Sequence, residues 1–317
     1  MSAIITSNGQ GHNGVWHTVG VIVHLIDGTY ELYRQHFGQA VRHRTPPPLS
    51  ASRGVVTSTL QLLAGGATHV AVSVDHVIES FRNDLYDGYK TSEGMEPEIL
   101  EQLPVMQEAL RALGVPVWSM VKYEADDALA AAAVRANADA RVDQVQMLTP
   151  DKDLGQVVQG NRVVQYDRRN DVIINESAVI EKFGVTPASI ADWLGLVGDT
   201  ADGFPGLQGW GAKSASSVLA KYIHIENIPD DESQWTTDGV VVRGAAKLAN
   251  TLREQRDLAM LFKKIATVVT DVDDDVKIGN VDDWEWRGPT KELSAIARKL
   301  EMTDLVERAE RAMVGRR

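Results

Sequence analysis

Three short apolar runs, each closing on aspartate, constrain this chain most. "VGVIVHLID" (Val19–Asp27) and "THVAVSVD" (Thr68–Asp75) are rich in β-branched residues and end in a carboxylate. "DQVQMLTPDKD" (Asp143–Asp153) runs into an acidic turn. Short, near-continuous apolar runs suit strands buried on both faces. Helical patterns over 29–38, 53–65, 97–113 and 125–137 lie between them. Alternating strand and helix predicts an α/β domain, with a mainly parallel central sheet flanked by helices. Such sheets take ligands at the carboxyl ends of their strands. Asp27, Asp75, Asp151 and Asp153 fall at or just beyond strand ends, so they are expected to share one edge.

Beyond residue 176 helices dominate, over 176–183, 188–197, 212–222 and 243–263, joined by Gly- and Pro-rich turns. "IATVVTDV" (Ile265–Val272) reads as one more strand returning to the sheet, and two short helices near 290–315 close the chain. "RTPPPLSASRG" (Arg44–Gly54) is an exposed connector, because its prolines do not suit a helix interior. Residues 1–18 hold no Lys or Arg, so they lack the basic region of a signal peptide and read as a flexible lead-in. No apolar run near the start spans a bilayer. A cytoplasmic protein without a membrane partner is expected. The 317 residues contain no cysteine, which excludes disulfides, thiolate zinc sites and a cysteine nucleophile. A net charge of −12 by itself argues against a polyanion partner. Bound cations would reverse the local sign.

The carboxylates therefore need to be read together. "YEADDALA" holds Glu124, Asp126 and Asp127 at the start of an alanine-rich helix, where acidic side chains also suit the macrodipole. In "TPDKD", Asp151 and Asp153 share one side of an extended segment. In "GDTADG", Asp199 and Asp202 suit one face of a helical turn. Each alone is ordinary cap or turn chemistry. Gathered with Asp27 and Asp75, they form an all-oxygen cluster suited to Mg²⁺ or Mn²⁺ rather than zinc. Two such ions ~4 Å apart clamp the attacking and leaving oxygens of phosphoryl transfer.

Two further stretches bear on nucleic acid. In "GFPGLQGWGAKSASSVL" (Gly203–Leu219), Gly209, Gly211, Lys213 and Ser214 form a turn entering a helix. This is either a DNA-backbone clamp or a plain helix–turn–helix connection. It is not a P-loop, because Ala212 stands where the lysine should be. In "SFRNDLYDGYK" (Ser80–Lys90), Arg82 and Lys90 flank two tyrosines. They would stabilise phosphate charge and stack a base, or they belong to a solvated amphipathic helix.

These blocks, in this order, resemble the 5′-nuclease (flap endonuclease) superfamily, and most of all the 5′–3′ exonuclease domain of bacterial DNA polymerase I. The likeness runs from about Val21 to the C-terminal helices. It implies a PIN-like core (19–187) with a helical arch at about 80–113. It further implies a helix–three-turn–helix DNA clamp (188–264) and a closing segment (265–317). It implies hydrolysis of DNA at 5′ ends, flaps and branches, giving 5′-phosphate and 3′-hydroxyl products in replication and repair. RNA in RNA–DNA hybrids is a further implied partner. By the same resemblance, Asp27, Asp75 and Asp126 lie nearest the first metal, with Glu124 close by. Asp127, Asp151, Asp153, Asp199 and Asp202 serve the second. Lys90 contacts the scissile phosphate, with Arg82 beside it, and clamp carbonyls hold K⁺. The chain departs from the family at Glu93, where an arginine is usual, and at Gly203, where asparagine is usual. The acidic "EGMEPE" bears on flap threading. A monomeric, stand-alone nuclease is expected. The competing expectations are a branched-DNA-binding protein with weak or lost catalysis, and a PIN-type RNase.

Overall fold

The computed structural model describes residues 20–42, 47–93 and 95–314. The lead-in 1–18 falls outside them. At the centre lie β1 (Val21–Asp27), β2 (His69–Asp75), β3 (Val117–Met120), β4 (Val142–Leu148), β5 (Val163–Asp167) and β6 (Val172–Ile174). They pair in the order β3-β2-β1-β4-β5-β6, all parallel except β6, which runs antiparallel to β5. Chain order reverses between β1 and β4, so the crevice of a doubly wound sheet opens at their carboxyl ends. Asp27 stands opposite Ser73 there, and Ile26 opposite Leu148.

The helices α1 (Gly28–Arg42), α2 (Ser50–Ala64), α3 (Pro97–Ala112) and α4 (Ala125–Ala138) alternate with the strands. The helical unit that follows contains α5 (Glu176–Phe183), α6 (Ile190–Val197), α7 (Ala212–Tyr222), α8 (Glu232–Thr237), α9 (Ala245–Glu254) and α10 (Arg256–Ala266). Two closing helices, α11 (Leu293–Lys299) and α12 (Leu305–Val314), return to the core. Strand alternation divides the interior. Ile26, Val72 and Val74 pack with α1, α2, α3 and α11. Val23, Leu25 and Met147 pack with α4 and the helical unit. Among the described residues no helix is long and apolar enough to cross a membrane.

Helix α4 carries the acidic stretch and is buried on nearly all sides. Ala128, Ala130, Ala131 and Ala132 are 0 % exposed. Methyl side chains let this helix lie close to the sheet, which places its first turn at the carboxyl edge. Beyond the sheet, α10 lies across α6. A Cβ on Gly195 would sit 2.9 Å from Lys263 N, so glycine is what permits that approach. Phe262 of α10 stacks on Phe204, with ring centroids 5.5 Å apart.

Five sequence expectations change. The segment 44–54 is not an exposed connector throughout: 44–46 lie outside the described residues, and α2 begins at Ser50, with Ser50, Ala51 and Ser52 buried. Ile265–Val272 is not a returning strand: α10 takes its first two residues and no strand pairs with the rest. Its backbone groups are spent on side chains instead. Val269 N–H donates to Asp127 at 2.8 Å, and the carbonyls of Ile265 and Thr267 accept from Arg82 at 2.7 and 3.0 Å. The helix expected over 243–263 is two, α9 and α10, parted at Gln255. In the arch range, residues 81–93 form turns and bends. The helix in that range is α3, whose Ile99, Leu103 and Met106 are buried in the core. The "SFRNDLYDGYK" stretch is not a solvated helix either, since Arg82 and Tyr89 are 3 % and 4 % exposed.

Because α4 has no room around its methyl groups, Ala130→Leu is expected to destabilise the fold by about 1–3 kcal/mol. Denaturant melting checks this, and a loss below the error of the method would show slack in the packing.

Candidate metal centre and nucleic-acid interface

The strand ends place the first two carboxylates. Asp27, at the end of β1, accepts from Tyr30 N–H at 2.8 Å and from the Thr149 hydroxyl at 3.1 Å. Burial, joined by repulsion from Asp75 and Asp151, pushes its pKa up to about 7 against those hydrogen bonds. Asp75, at the end of β2, accepts from Ala125 N–H at 2.8 Å, which pins the first turn of α4 to the strand. Its pKa is raised by burial and by Glu124. Asp126 projects from that turn. Burial, then Asp151, Asp27 and Asp153, push its pKa far above the usual carboxylate range.

A second group sits beside the first. After β4, Asp153 N–H donates to Asp151 at 3.0 Å, which curls the DKD turn. Asp199 and Phe204 exchange backbone hydrogen bonds of 2.8 and 3.0 Å, closing the turn that carries Asp202. Ligand oxygens of Asp153, Asp199 and Asp202 lie within 4.8 Å of one another. Asp153 Oδ1 is buried without a hydrogen-bond partner. Burial and the neighbouring Asp151 and Asp202 raise the Asp153 pKa strongly. A buried acceptor with no donor, among hard oxygen ligands, is what a divalent cation fits.

Two lysines reach into this edge. Lys90 Nζ lies 2.9 Å from both Glu124 and Asp202, and its backbone N–H donates to the Asp202 carbonyl at 3.0 Å. Lys152 Nζ lies 2.5 Å from Asp199, a contact the sequence reading missed, although Lys152 stands between Asp151 and Asp153. Burial alone would raise the Glu124 pKa, but Lys90 and Arg82 outweigh it and lower the value. The departure at Gly203 has a steric origin. Its φ is +85°, and a Cβ there would lie 2.2 Å from the Gly88 carbonyl oxygen. Glycine lets the 88–90 segment dock on the Asp202 turn.

Asp127 and Arg82 depart from their expected places. Asp127 is fully buried and receives four hydrogen bonds: two from Arg82 at 2.7 and 2.8 Å, and one each from Glu124 N–H and Val269 N–H. Its oxygens are spent inside the protein and do not face the acidic edge. One step along a helix turns a side chain by about 100°, so Asp126 and Asp127 point apart. Arg82 is the partner of Asp127 and of the 265–267 carbonyls rather than a group presented to a phosphate. The two tyrosines are committed as well. The Tyr89 hydroxyl donates to Glu124 at 3.2 Å, and Tyr86 packs edge-on to Phe262.

The glycine turn leads to α7. Gly209 has φ +86°, and Ser214 Oγ both accepts from Gly211 N–H and donates to Gly211 O. Gly209, Gly211, Lys213 and Ser214 border an open recess. Arg243, before α9, borders the same recess and was not picked out in the sequence. Lys213 and Arg243 have no carboxylate partner among the described residues.

Comparisons with known proteins bear on the family and the fold. Residues 22–184 match the model for the 5′-3′ exonuclease N-terminal resolvase-like domain, and residues 185–292 match that for the 5′-3′ exonuclease C-terminal SAM fold. A 5′-3′ exonuclease from Aquifex aeolicus is 35% identical over 216 residues, covering 65% of this chain and 71% of that one. DNA polymerase I of Bacillus caldotenax is 30% identical over 293 residues, covering 90% of this chain but 32% of the polymerase. The chain thus spans about a third of that relative. The fold is also that of a bacteriophage T5 flap endonuclease, solved as a pseudo-enzyme–product complex with DNA and metal ions. That match has a TM-score of 0.59 at 17% identity and covers 92% of this chain and 98% of that one.

The raised carboxylate pKa values carry a sign. A carboxylate with a folded-state pKa above its unfolded value favours the fold at low pH and loses that contribution as pH rises through the folded value. In EDTA, the melting temperature is therefore expected to fall between pH 5 and pH 8. Mg²⁺ or Mn²⁺ added at pH 8 is expected to restore it. A flat profile in thermal melts would mean that burial and mutual repulsion do not raise these carboxylates as described.

Proposed function

Because the chain belongs to the 5′-3′ exonuclease family, we propose that it hydrolyses DNA phosphodiesters at 5′ ends, flaps and branches, using divalent cations held at the acidic edge. The observation that carries this reading is the convergence of Asp153, Asp199 and Asp202 around a buried oxygen that lacks a donor. Asp153, Asp199 and Asp202, with Asp151 behind them, would hold one ion. Asp27, Asp75 and Asp126, with Glu124 close by, would hold the other. When bound, two Mg²⁺ or Mn²⁺ ions supply charge neutralisation and an activated water for in-line displacement.

The chain's own groups do the rest. Lys90, bridging Glu124 and Asp202, is placed to donate to the non-bridging oxygens of the scissile phosphate. Asp127 and Arg82 act as positioning residues, fixing the first turn of α4 on which Asp126 rides. Gly209, Gly211, Lys213 and Ser214 take the phosphate backbone of the duplex, read by shape rather than by base. K⁺ at the carbonyls of this turn belongs to the same proposal. Products carry a 5′-phosphate and a 3′-hydroxyl.

Cleavage of a labelled 5′-flap duplex in Mg²⁺ or Mn²⁺, against EDTA, tests the whole reading. Asp153→Asn is expected to lower the rate by at least ~100-fold while duplex binding is retained. Near-normal cleavage would remove Asp153 from the metal set, and binding of flaps with no metal-dependent cleavage by the unaltered chain would favour a branched-DNA-binding protein. For Lys213→Ala, weaker binding to every sequence is expected, with the slope of log K against log salt shallower by about one. An unchanged slope would take Lys213 off the phosphate contacts.

A further inference from the structure

Away from the acidic edge, α1, α2 and the turn after β5 border an open cavity of about 730 Å³. Arg34, Arg53 and Arg168 line it, together with amide and hydroxyl side chains such as Gln35, Thr57 and Gln61. No Asp or Glu does. For a chain of net charge −12, a wall of three guanidinium groups without an acid reverses the bulk character.

The three charges are not equally compensated. Arg34 makes a bidentate pair with Glu31, at 3.2 and 2.5 Å. Among the described residues, Arg53 and Arg168 have no ion-pair partner. One N–H of Arg53 donates to the Leu300 carbonyl at 3.3 Å, and one of Arg168 to the Ser58 carbonyl at 3.4 Å. These long contacts hold the side chains in place and neutralise neither. The N-terminus of α2 opens here too, but the Ala51 and Ser52 amides both donate to Gln102 Oε1, at 3.0 and 3.2 Å. The arginine forks, not the helix end, supply the charge. Leu49, just ahead of α2, has φ +59°, a strained conformation for a branched side chain.

Guanidinium forks match phosphate oxygens in pairs, and neutral amides and hydroxyls fill the remaining acceptor sites. The volume falls within the range of small-ligand sites, roughly 300–1,000 Å³. Two uncompensated positive charges match a phosphate monoester, which carries about −1.5 to −2 at neutral pH. We propose that this cavity binds a nucleotide phosphate group through Arg53 and Arg168. The group would be the monoester of a free mononucleotide, or two successive diesters of a DNA strand, which carry one charge each. The cavity shares no residue with the acidic edge, so the inference stands independently of the cleavage reading.

Binding in EDTA tests it, because the acidic edge then has no cation with which to hold a phosphate. Inorganic phosphate, a deoxynucleoside 5′-monophosphate and a short duplex are each titrated into the full chain by calorimetry. Two altered chains are compared: Arg53→Gln with Arg168→Gln, and Thr57→Glu, which keeps both arginines and adds a carboxylate to the cavity. Saturable binding by the unaltered chain is expected, weakened ~10-fold or more in both. The Thr57→Glu chain keeps the test decisive if the double change unfolds. Tighter binding of the monophosphate than of inorganic phosphate would identify the free nucleotide as the source. Binding of the duplex alone, with a salt slope about two lower in the double variant, would identify a strand. Saturable binding of none of the three, or equal binding by all three folded chains, would overturn the proposal.

Discussion

Repulsion between carboxylates is the constraint around which this molecule is built. Two unit charges 4 Å apart at a protein surface oppose each other by about 4 kcal/mol, and Asp153, Asp199 and Asp202 bring oxygens to within 4.8 Å. The surroundings offset only part of this. Tyr30 and Ala125 amides and the Thr149 hydroxyl bond individual oxygens, while Lys90 and Lys152 span the gaps. The rest falls on rigid supports. The sheet fixes Asp27 and Asp75, the buried alanine face of α4 fixes Asp126, and the closed 199–204 turn fixes Asp199 and Asp202. A looser scaffold would let the charges drift apart and would lose the geometry in which a cation is preferred.

The pair Arg82–Asp127 belongs to that support. Removing either partner alone would leave a buried charge unmatched, which is strongly destabilising. The pair also joins distant parts of the chain, because the same guanidinium holds the carbonyls that follow α10. The helical unit is therefore fastened at the foot of the helix that presents Asp126.

How much of this was legible in the sequence follows from the range of each interaction. Strand ends marked by aspartate are local signals, and they led to Asp27, Asp75 and the DKD turn. The alternation of strand and helix likewise predicted the parallel sheet. Asp127 looked equivalent to Asp126 because adjacency in sequence says nothing about a partner 45 residues away in Arg82. The apolar run Ile265–Val272 looked like a strand because periodicity cannot report that side chains, rather than a neighbouring strand, take its amides. β3 and β6 have four and three residues, too few for a pattern to emerge. Gly203 looked like a simple departure until its contact with Gly88 showed that the backbone needs the space.

Net charge was the least informative quantity, and the reason is spatial. Carboxylates concentrate at the sheet edge, while Arg53 and Arg168 line a cavity with no Asp or Glu among the described residues, and Lys213 and Arg243 border the recess at α7. Screening confines each region's field to about 8–10 Å at physiological salt. An approaching polyanion therefore meets patches rather than a uniformly acidic body. If the proposed roles hold, the turn at α7 and the arginine-lined cavity would attract phosphate on their own terms. The acidic edge would repel it until cations arrive, so under the proposed function the side chains that would hold the metals would also keep DNA from the edge in their absence.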